Sequence, residues 1–402
     1  MEQKNCKMEH HRLATPCYVI DLNQFEQNIN NIKSEFIKEW GYNIILGYSI
    51  KTNHLPFFLS YAKKNGFYSE AVSSDEYYYA ISQGYEPKEI IYNGPQKDCE
   101  TVQKALSEGS IVNLDNFQDL KLIEKILPNI KKDGINIGIR VNFDLESICN
   151  GETNFEDEFS RFGFCVENGE FENALLYLDK LNCTVRGLHL HYTTKTRSLS
   201  VFKAIAKKVA ELILKYKMKD GLKFIDMGGG FWGGRKFQNK PTMEEYSKTI
   251  AYELKKVIPP DKVQLILEPG SSLLATAVYY LTRVINTRVI RNTNIITVDG
   301  SLLHVNPFLN KRELDFSTYS LDRKLVSKQI ICGSTCLEYD RILNLNDYNE
   351  FRVGDIIKIH NAGAYTMPFN NCFINCPPRI YLQDSNGYTQ IRDEAISLME
   401  RI

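Results

Sequence analysis

The chain carries no excess of either charge. Its 402 residues hold 49 lysines and arginines against 49 aspartates and glutamates, for a formal net charge of zero. Without a basic stripe, the sequence gives no grounds to expect nucleic acid or an anionic membrane as a partner. It also lacks any run of 18 or more apolar residues, and its opening MEQKNCKMEHHR has no apolar stretch of the kind a signal peptide needs. A cytoplasmic location is therefore expected. No short repeat and no low-complexity segment is present. Paired metal knuckles are missing too: Cys332/Cys336 and Cys372/Cys376 have C-x₃-C spacing, and the ten cysteines are scattered through apolar stretches. Reduced, structural thiols and no metal are expected. His10 and His11 are expected to lie in a frayed terminus.

What is present is the composition of a globular protein, 43% apolar and 24% charged, in a chain long enough for two domains. Strand-length apolar runs recur at about 43–50, 67–72, 89–93, 110–114, 135–142, 184–191, 222–227 and 263–267. Amphipathic stretches alternate with them at 54–65, 74–83, 97–108, 116–127 and 199–216. In the last of these, Val201, Ile205, Val209 and Leu212 share one face. Eight repeats of strand then helix predict an α/β fold, a (β/α)₈ barrel over residues 26–278. Beyond about 280 the rhythm changes to short strands without long helices: YLTRVINTRVI, NIITVDG, KQIICGS, DIIKIHNAG, PRIYLQ and YTQIRD. These predict an antiparallel β domain over 279–402, joined by the early strand ATPCYVIDL within residues 1–25.

Barrel chemistry collects where strands end. Those positions hold Lys51, Glu70 with Ser73, Asn93, Arg140, His191, Gly228-Gly229-Gly230 and Glu268-Pro269-Gly270. Glycines after the seventh and eighth strands let a phosphate approach backbone N–H groups closely. A phosphorylated ligand, a lysine at the end of a buried strand and a carboxylate beside the phosphate loops together point to pyridoxal 5'-phosphate. That cofactor needs an amine for its Schiff base and an acid to hold its ring nitrogen protonated. Partial burial makes such a lysine easier to deprotonate.

The motifs resemble those of the fold-type III pyridoxal-phosphate decarboxylases, whose members include ornithine, diaminopimelate and carboxynorspermidine decarboxylases. YSIKTN resembles the Y-A-V-K-A-N around the Schiff-base lysine, which implies Lys51 in that role. EAVSSDEY resembles D-V-V-S-x-x-E and matches Glu70 and Glu76 to two acidic positions near the lysine. SRFGF resembles S-K-F-G. GLHLHYTT resembles G-L-H-x-H-x-G-S, which implies that His191 stacks on the cofactor and that Thr194 supplies a hydroxyl to its phosphate. IDMGGGF and LEPG match the phosphate loop and the ring-nitrogen glutamate, Glu268. GSTCLEYDRI resembles G-P-T-C-x-x-x-D, and HNAGAYTMPFNNCF the M-G-A-Y block in which Tyr365 would bind phosphate. The resemblance implies a homodimer with shared sites. Cys336 of one copy would deliver a proton to Cα in the other, with Asp340 and Phe373 facing the substrate.

Three departures bear on the small-molecule substrate. Leu337 follows the motif cysteine where ornithine and diaminopimelate enzymes carry an acid, and carboxynorspermidine enzymes share that leucine. Ser271 and Asn306 stand where diaminopimelate enzymes have arginines. A carboxy-polyamine, or a diamino acid conjugated to a polycarboxylate in siderophore or polyamine biosynthesis, is the expected substrate, with Arg161, Lys311 and Arg312 as candidates to meet the added carboxylates. Diaminopimelate, ornithine or lysine decarboxylation is the alternative, and amino-acid racemisation the second. Racemases need a second base, usually tyrosine, where this chain has Cys336 and Asp340.

Overall fold

The computed structural model describes residues 10–131, 134–153, 159–234, 240–310, 313–319, 323–370 and 373–392. The chain divides into two compact units. One is built mainly from Met1–Ile29 and Leu273–Ile402, the other from Asn30–Trp232 and Lys236–Ser272. Strand β1 (Cys17–Asp21) opens the first unit, and the helix Leu22–Trp40 then carries the chain into the second.

The second unit is the barrel. Its strands are β2 (Ile44–Ser49), β3 (Tyr68–Ala71), β4 (Ile90–Tyr92), β5 (Ile111–Leu114) and β6 (Asn136–Asn142), with the two-residue β7 (Phe164–Cys165) beside β6. They continue as β8 (Gly187–His189), β9 (Phe224–Asp226) and β10 (Gln264–Leu267). Every pairing is parallel, and β10 pairs back onto β2, which closes the ring of eight. Each of the eight strands of the ring falls inside a range predicted from the apolar runs, whereas β7 falls in none of them. Helices begin where the sequence supplies a cap: Ser73 accepts from Glu76 N–H, Asp98 from Thr101 N–H and Asn116 from Gln118 and Asp119 N–H. Helices at Glu170–Lys180 and Met243–Leu254 add to the predicted set. Ile45, Ile91, Ile111, Phe224 and Ile266 fill the barrel interior. The Phe224 ring occupies the space that glycine leaves at 187, where a Cβ would lie 2.0 Å from its Cε2 atom.

The first unit is a nine-stranded, mostly antiparallel sheet. After β10 the chain forms β11 (Val278–Ile290), β12 (Thr293–Val298), β13 (Phe316–Thr318), β14 (Leu325–Cys332) and β15 (Arg341–Asn349). It finishes with β16 (Ile356–Ile359), β17 (Arg379–Asp384) and β18 (Gly387–Arg392). β1 lies in the interior of this sheet, antiparallel to β11 and parallel to β17. The expected fraying at His10 is corrected. The residue is fully buried, its Nε2 lies 2.9 Å from the Tyr279 hydroxyl and its Nδ1 lies 2.8 Å from that of Tyr319. Burial pushes this imidazole down to about 4, so it sits neutral among the phenols. His11, one residue on, is exposed.

Among the described residues no helix is long and apolar enough to cross a membrane.

Candidate active site

β2 stops at Ser49 and the chain turns into a single 3₁₀ turn, Ile50–Thr52, which lifts Lys51 out of the strand. The Lys51 Nζ donates to Glu70 Oε2, and the Ser49 hydroxyl donates to the same oxygen at 2.6 Å. Glu70 is 1% exposed on β3, so its charge is balanced by an ammonium at the barrel mouth rather than by water. Glu268 follows β10 and is 2% exposed. Burial by itself would raise its carboxyl, but His189, His191 and Lys51 hold it well below the usual carboxylate range. Its Oε2 lies 3.7 Å from His189 Nε2 and 3.7 Å from His191 Nδ1. Burial lowers His189 well below its ordinary value, and the charge of Glu268 pulls it part of the way back. Both of its ring nitrogens are buried without a hydrogen-bond partner among the described residues.

His191 is fixed from two directions. Its Nδ1 accepts the Gly229 N–H at 3.0 Å, and its carbonyl accepts from Arg140, whose guanidinium also pairs with Asp115 at 3.2 Å. The glycine loop is shaped around it. Gly228 and Gly230 are left-handed at φ +61° and +84°, and a Cβ on Gly228 would meet the His191 Cβ at 2.6 Å. The Gly228 N–H goes to Asp226 Oδ1 at 2.9 Å. The N–H groups of Gly228 and Gly229 are thus both taken by side chains of the protein. Gly230 is the member not committed in this way. A Cβ on Gly270 would lie 2.4 Å from Thr52 Oγ1, a buried hydroxyl with no partner among the described residues.

Sequence reasoning missed His189, Asn113 and Asp226. Asn93 donates to both Glu70 Oε1 and Glu268 Oε1, and Asn113 donates to Asn93 and to Asp226. Asp226 is fully buried; burial first, and then the charge of Glu268, raise its carboxyl well above the ordinary value. His189 and Asp226 lie inside the GLHLHYTT and IDMGGGF stretches, while for Asn113 the signal was its place near a strand end.

The remaining expected residues are placed as follows. Thr194 is buried and its backbone bridges to Thr153. Arg161 is exposed and its guanidinium lies over the Phe162 ring at 4.4 Å. Lys311 and Arg312 lie outside the described residues. In the sheet unit Cys336 is exposed, while Asp340 is 3% exposed. The Asp340 carboxylate accepts from Leu302 N–H at 2.7 Å and from the Thr335 hydroxyl at 2.6 Å, bracing the turn that presents Cys336. Tyr365 is left-handed at φ +56°, and Phe373 is exposed.

Pyridoxal phosphate fits the barrel residues. A lysine amine stands at the mouth, an anionic carboxylate is held below the range of its kind, and the glycine loop leaves room where any side chain would clash. Buried polar atoms of Thr52 and His189 await partners. His189, His191 and Glu268 also bring ligand-type atoms within 4.8 Å of one another. His191 Nδ1 is already engaged by Gly229, however, and the trio reads as a carboxylate braced by imidazoles.

A closed parallel barrel with a paired lysine at one strand end and a glycine loop at another is an arrangement that suits an enzyme using a phosphorylated carbonyl cofactor. The chain belongs to the family described as "Pyridoxal-dependent decarboxylase, pyridoxal binding domain", whose profile it matches over residues 22–275. It is 26% identical to the diaminopimelate decarboxylase of Methanocaldococcus jannaschii over 95% of this chain and 89% of that one. Identity to the Archaeoglobus fulgidus diaminopimelate decarboxylase is also 26%, over 88% and 83%. Among solved structures, the M. jannaschii diaminopimelate decarboxylase superposes with a TM-score of 0.82 at 24% identity, covering 96% of this chain and 91% of that one. The protein is therefore a pyridoxal-phosphate-dependent carboxy-lyase with the fold-type III architecture.

Proposed function

We propose that the enzyme removes the α-carboxylate of a free diamino acid, with meso-diaminopimelate as the first substrate to test. The observation that carries this choice is the match of relatives bearing that name along nearly the whole chain. They favour it over the carboxy-polyamine or conjugated substrate expected from Leu337. That residue, with Ser271 and Asn306, keeps one second reading open, a substrate that differs from diaminopimelate at its distal end.

When bound, pyridoxal phosphate supplies an aldehyde for amine capture and a ring that takes up the electron pair left by departing carbon dioxide. Lys51 would hold it and later return to release product. Glu70 accepts from Lys51 Nζ and from Ser49, and Glu268 would supply the anion that keeps a ring nitrogen protonated. Arg140 and Gly229 hold His191 beside Glu268, leaving the ring-facing position to its imidazole. Gly230 and Thr194 would receive the phosphate, with Gly270 leaving room beside Thr52. We further propose a homodimer in which Cys336, Asp340, Tyr365 and Phe373 complete the site, Cys336 giving Cα its proton.

The test follows carbon dioxide release and Cα deuterium uptake in heavy water with meso-diaminopimelate, L-lysine, L-ornithine, carboxynorspermidine and citryl-linked diamino acids. Carbon dioxide from diaminopimelate, abolished by Lys51→Ala, is the expected result. Release from another panel member alone refutes the substrate, and deuterium exchange with the carboxylate retained makes the protein a racemase. Mixing Lys51→Ala with Cys336→Ala protein should restore part of the activity if sites are shared between copies.

A further inference from the structure

Glu70 and Glu268 flank the same glycine. A Cβ on Gly47 of β2 would lie 3.5 Å from Glu70 Cβ and 3.7 Å from Glu268 Cγ. Both side chains are almost wholly buried, and buried carboxylates that share a site repel, so that one normally takes up a proton. A donor lies between them. The Asn93 Nδ2 is 3.1 Å from Glu70 Oε1 and 2.5 Å from Glu268 Oε1, so its two N–H bonds serve one carboxylate each. The orientation of this amide is itself determined. Asn113 Nδ2 donates to Asn93 Oδ1 at 2.8 Å, and a reversed amide would set Oδ1 against two anions. Asn113 also donates to Asp226 Oδ2 at 3.1 Å. The chain of amides therefore runs from Asp226 to both Glu70 and Glu268.

We propose that Asn93 is a positioning residue that keeps Glu70 and Glu268 ionised together, tying the charge state of Lys51 to that of the carboxylate facing the cofactor ring. This rests on the reading of Lys51 and Glu268 as cofactor residues. The ionisable groups around the pair are Lys51 and Glu76 on the Glu70 side, and His189, His191 and Asp226 on the Glu268 side.

Titration calorimetry of pyridoxal phosphate into cofactor-free protein, in two buffers of different ionisation heat, counts the protons exchanged on binding. Without its shared donor the carboxylate pair takes up one proton, and that proton must leave when a cationic ring settles against Glu268. Asn93→Ala is expected to release about one proton more per cofactor bound than the wild type, and Asn113→Ala a fraction of one. A purely structural loss would lower the number of binding sites without changing protons per site. Equal proton counts in wild type and Asn93→Ala overturn the proposal. Borohydride reduction of loaded wild type and Lys51→Ala separates the two failures. If cofactor is trapped on Lys51→Ala, the underlying reading of the site is wrong, whatever the proton counts.

Discussion

Glu76 offers a measurable link between the site and stability. It stands in the first turn of the helix Ser74–Ser82, where Ser73 accepts its N–H and its own Oε2 accepts Val72 N–H at 2.8 Å. Burial pushes its carboxyl from 4.5 up to about 7, the Val72 N–H pulls it part of the way back, and the charge of Glu70 adds to the rise. The folded protein thus binds this proton more tightly than the unfolded chain does. The stability it contributes is present in full below about pH 4.5 and is lost as pH rises through about 7. The difference, 7 − 4.5 or about 2.5 units at about 1.4 kcal/mol each, sets a ceiling of about 3.4 kcal/mol. Since Glu76 is partly exposed, we expect about 1–2 kcal/mol after solvent screening. Glu76→Gln removes the titration and keeps an acceptor for Val72. Urea unfolding followed by tryptophan fluorescence reports the barrel, because Trp40 donates its indole N–H to Val263 O inside that unit. From pH 4.5 to 8.5 Glu76→Gln should gain about 1–2 kcal/mol on the wild type. A difference that stays flat across this range, or that falls as pH rises, refutes the reasoning.

Gly187→Ala should cost about 3 kcal/mol or more by overpacking against Phe224, and adding Phe224→Leu should recover part of it, so that the two substitutions are non-additive in urea unfolding. Lys97, with its side chain fully buried, pairs with Asp119 at 2.9 Å. Lys97→Met should therefore destabilise the barrel by about 3–5 kcal/mol, and a second change, Asp119→Asn, should restore part of this in the same assay. Gly229→Ala places a Cβ 2.4 Å from the Glu268 carbonyl oxygen. It is expected to weaken pyridoxal phosphate binding about tenfold or more, measured by fluorescence titration, with the circular dichroism spectrum unchanged.

The barrel was legible because each of its strands is a compact apolar run bounded by a helical period, so that local pattern and tertiary role agree. In the sheet unit that agreement breaks at β15. RILNLNDYN is rich in asparagine, a poor strand former, and its extended shape is imposed by pairing with β14 along almost its full length. His10 failed for a related reason, since nothing in MEHH tells of Tyr279 and Tyr319 some 270 and 310 residues away. Lys51, Glu70, His191 and Glu268 could be picked out because strand ends in a barrel carry chemistry. The amide bridge could not. Asn93 meets Glu268 across 175 residues and Asn113 meets Asp226 across 113, and an asparagine in a sequence looks the same whether it caps a turn or sits between two buried acids.

The position of β1 has a consequence for how the chain must be made. A ribosome delivers residues 17–21 first, yet their neighbours on either side, β11 and β17, emerge only after the whole barrel has been synthesised. The barrel is in effect an insertion between the first strand of a sheet and the rest of it. Its own pairings span shorter stretches of chain and can close while the early strand waits without partners. A fragment beginning at residue 273 would hold every later strand of the sheet but leave a gap at its middle, with an unpaired edge on each side. Such a fragment should aggregate when expressed alone and be rescued by a peptide spanning residues 10–29.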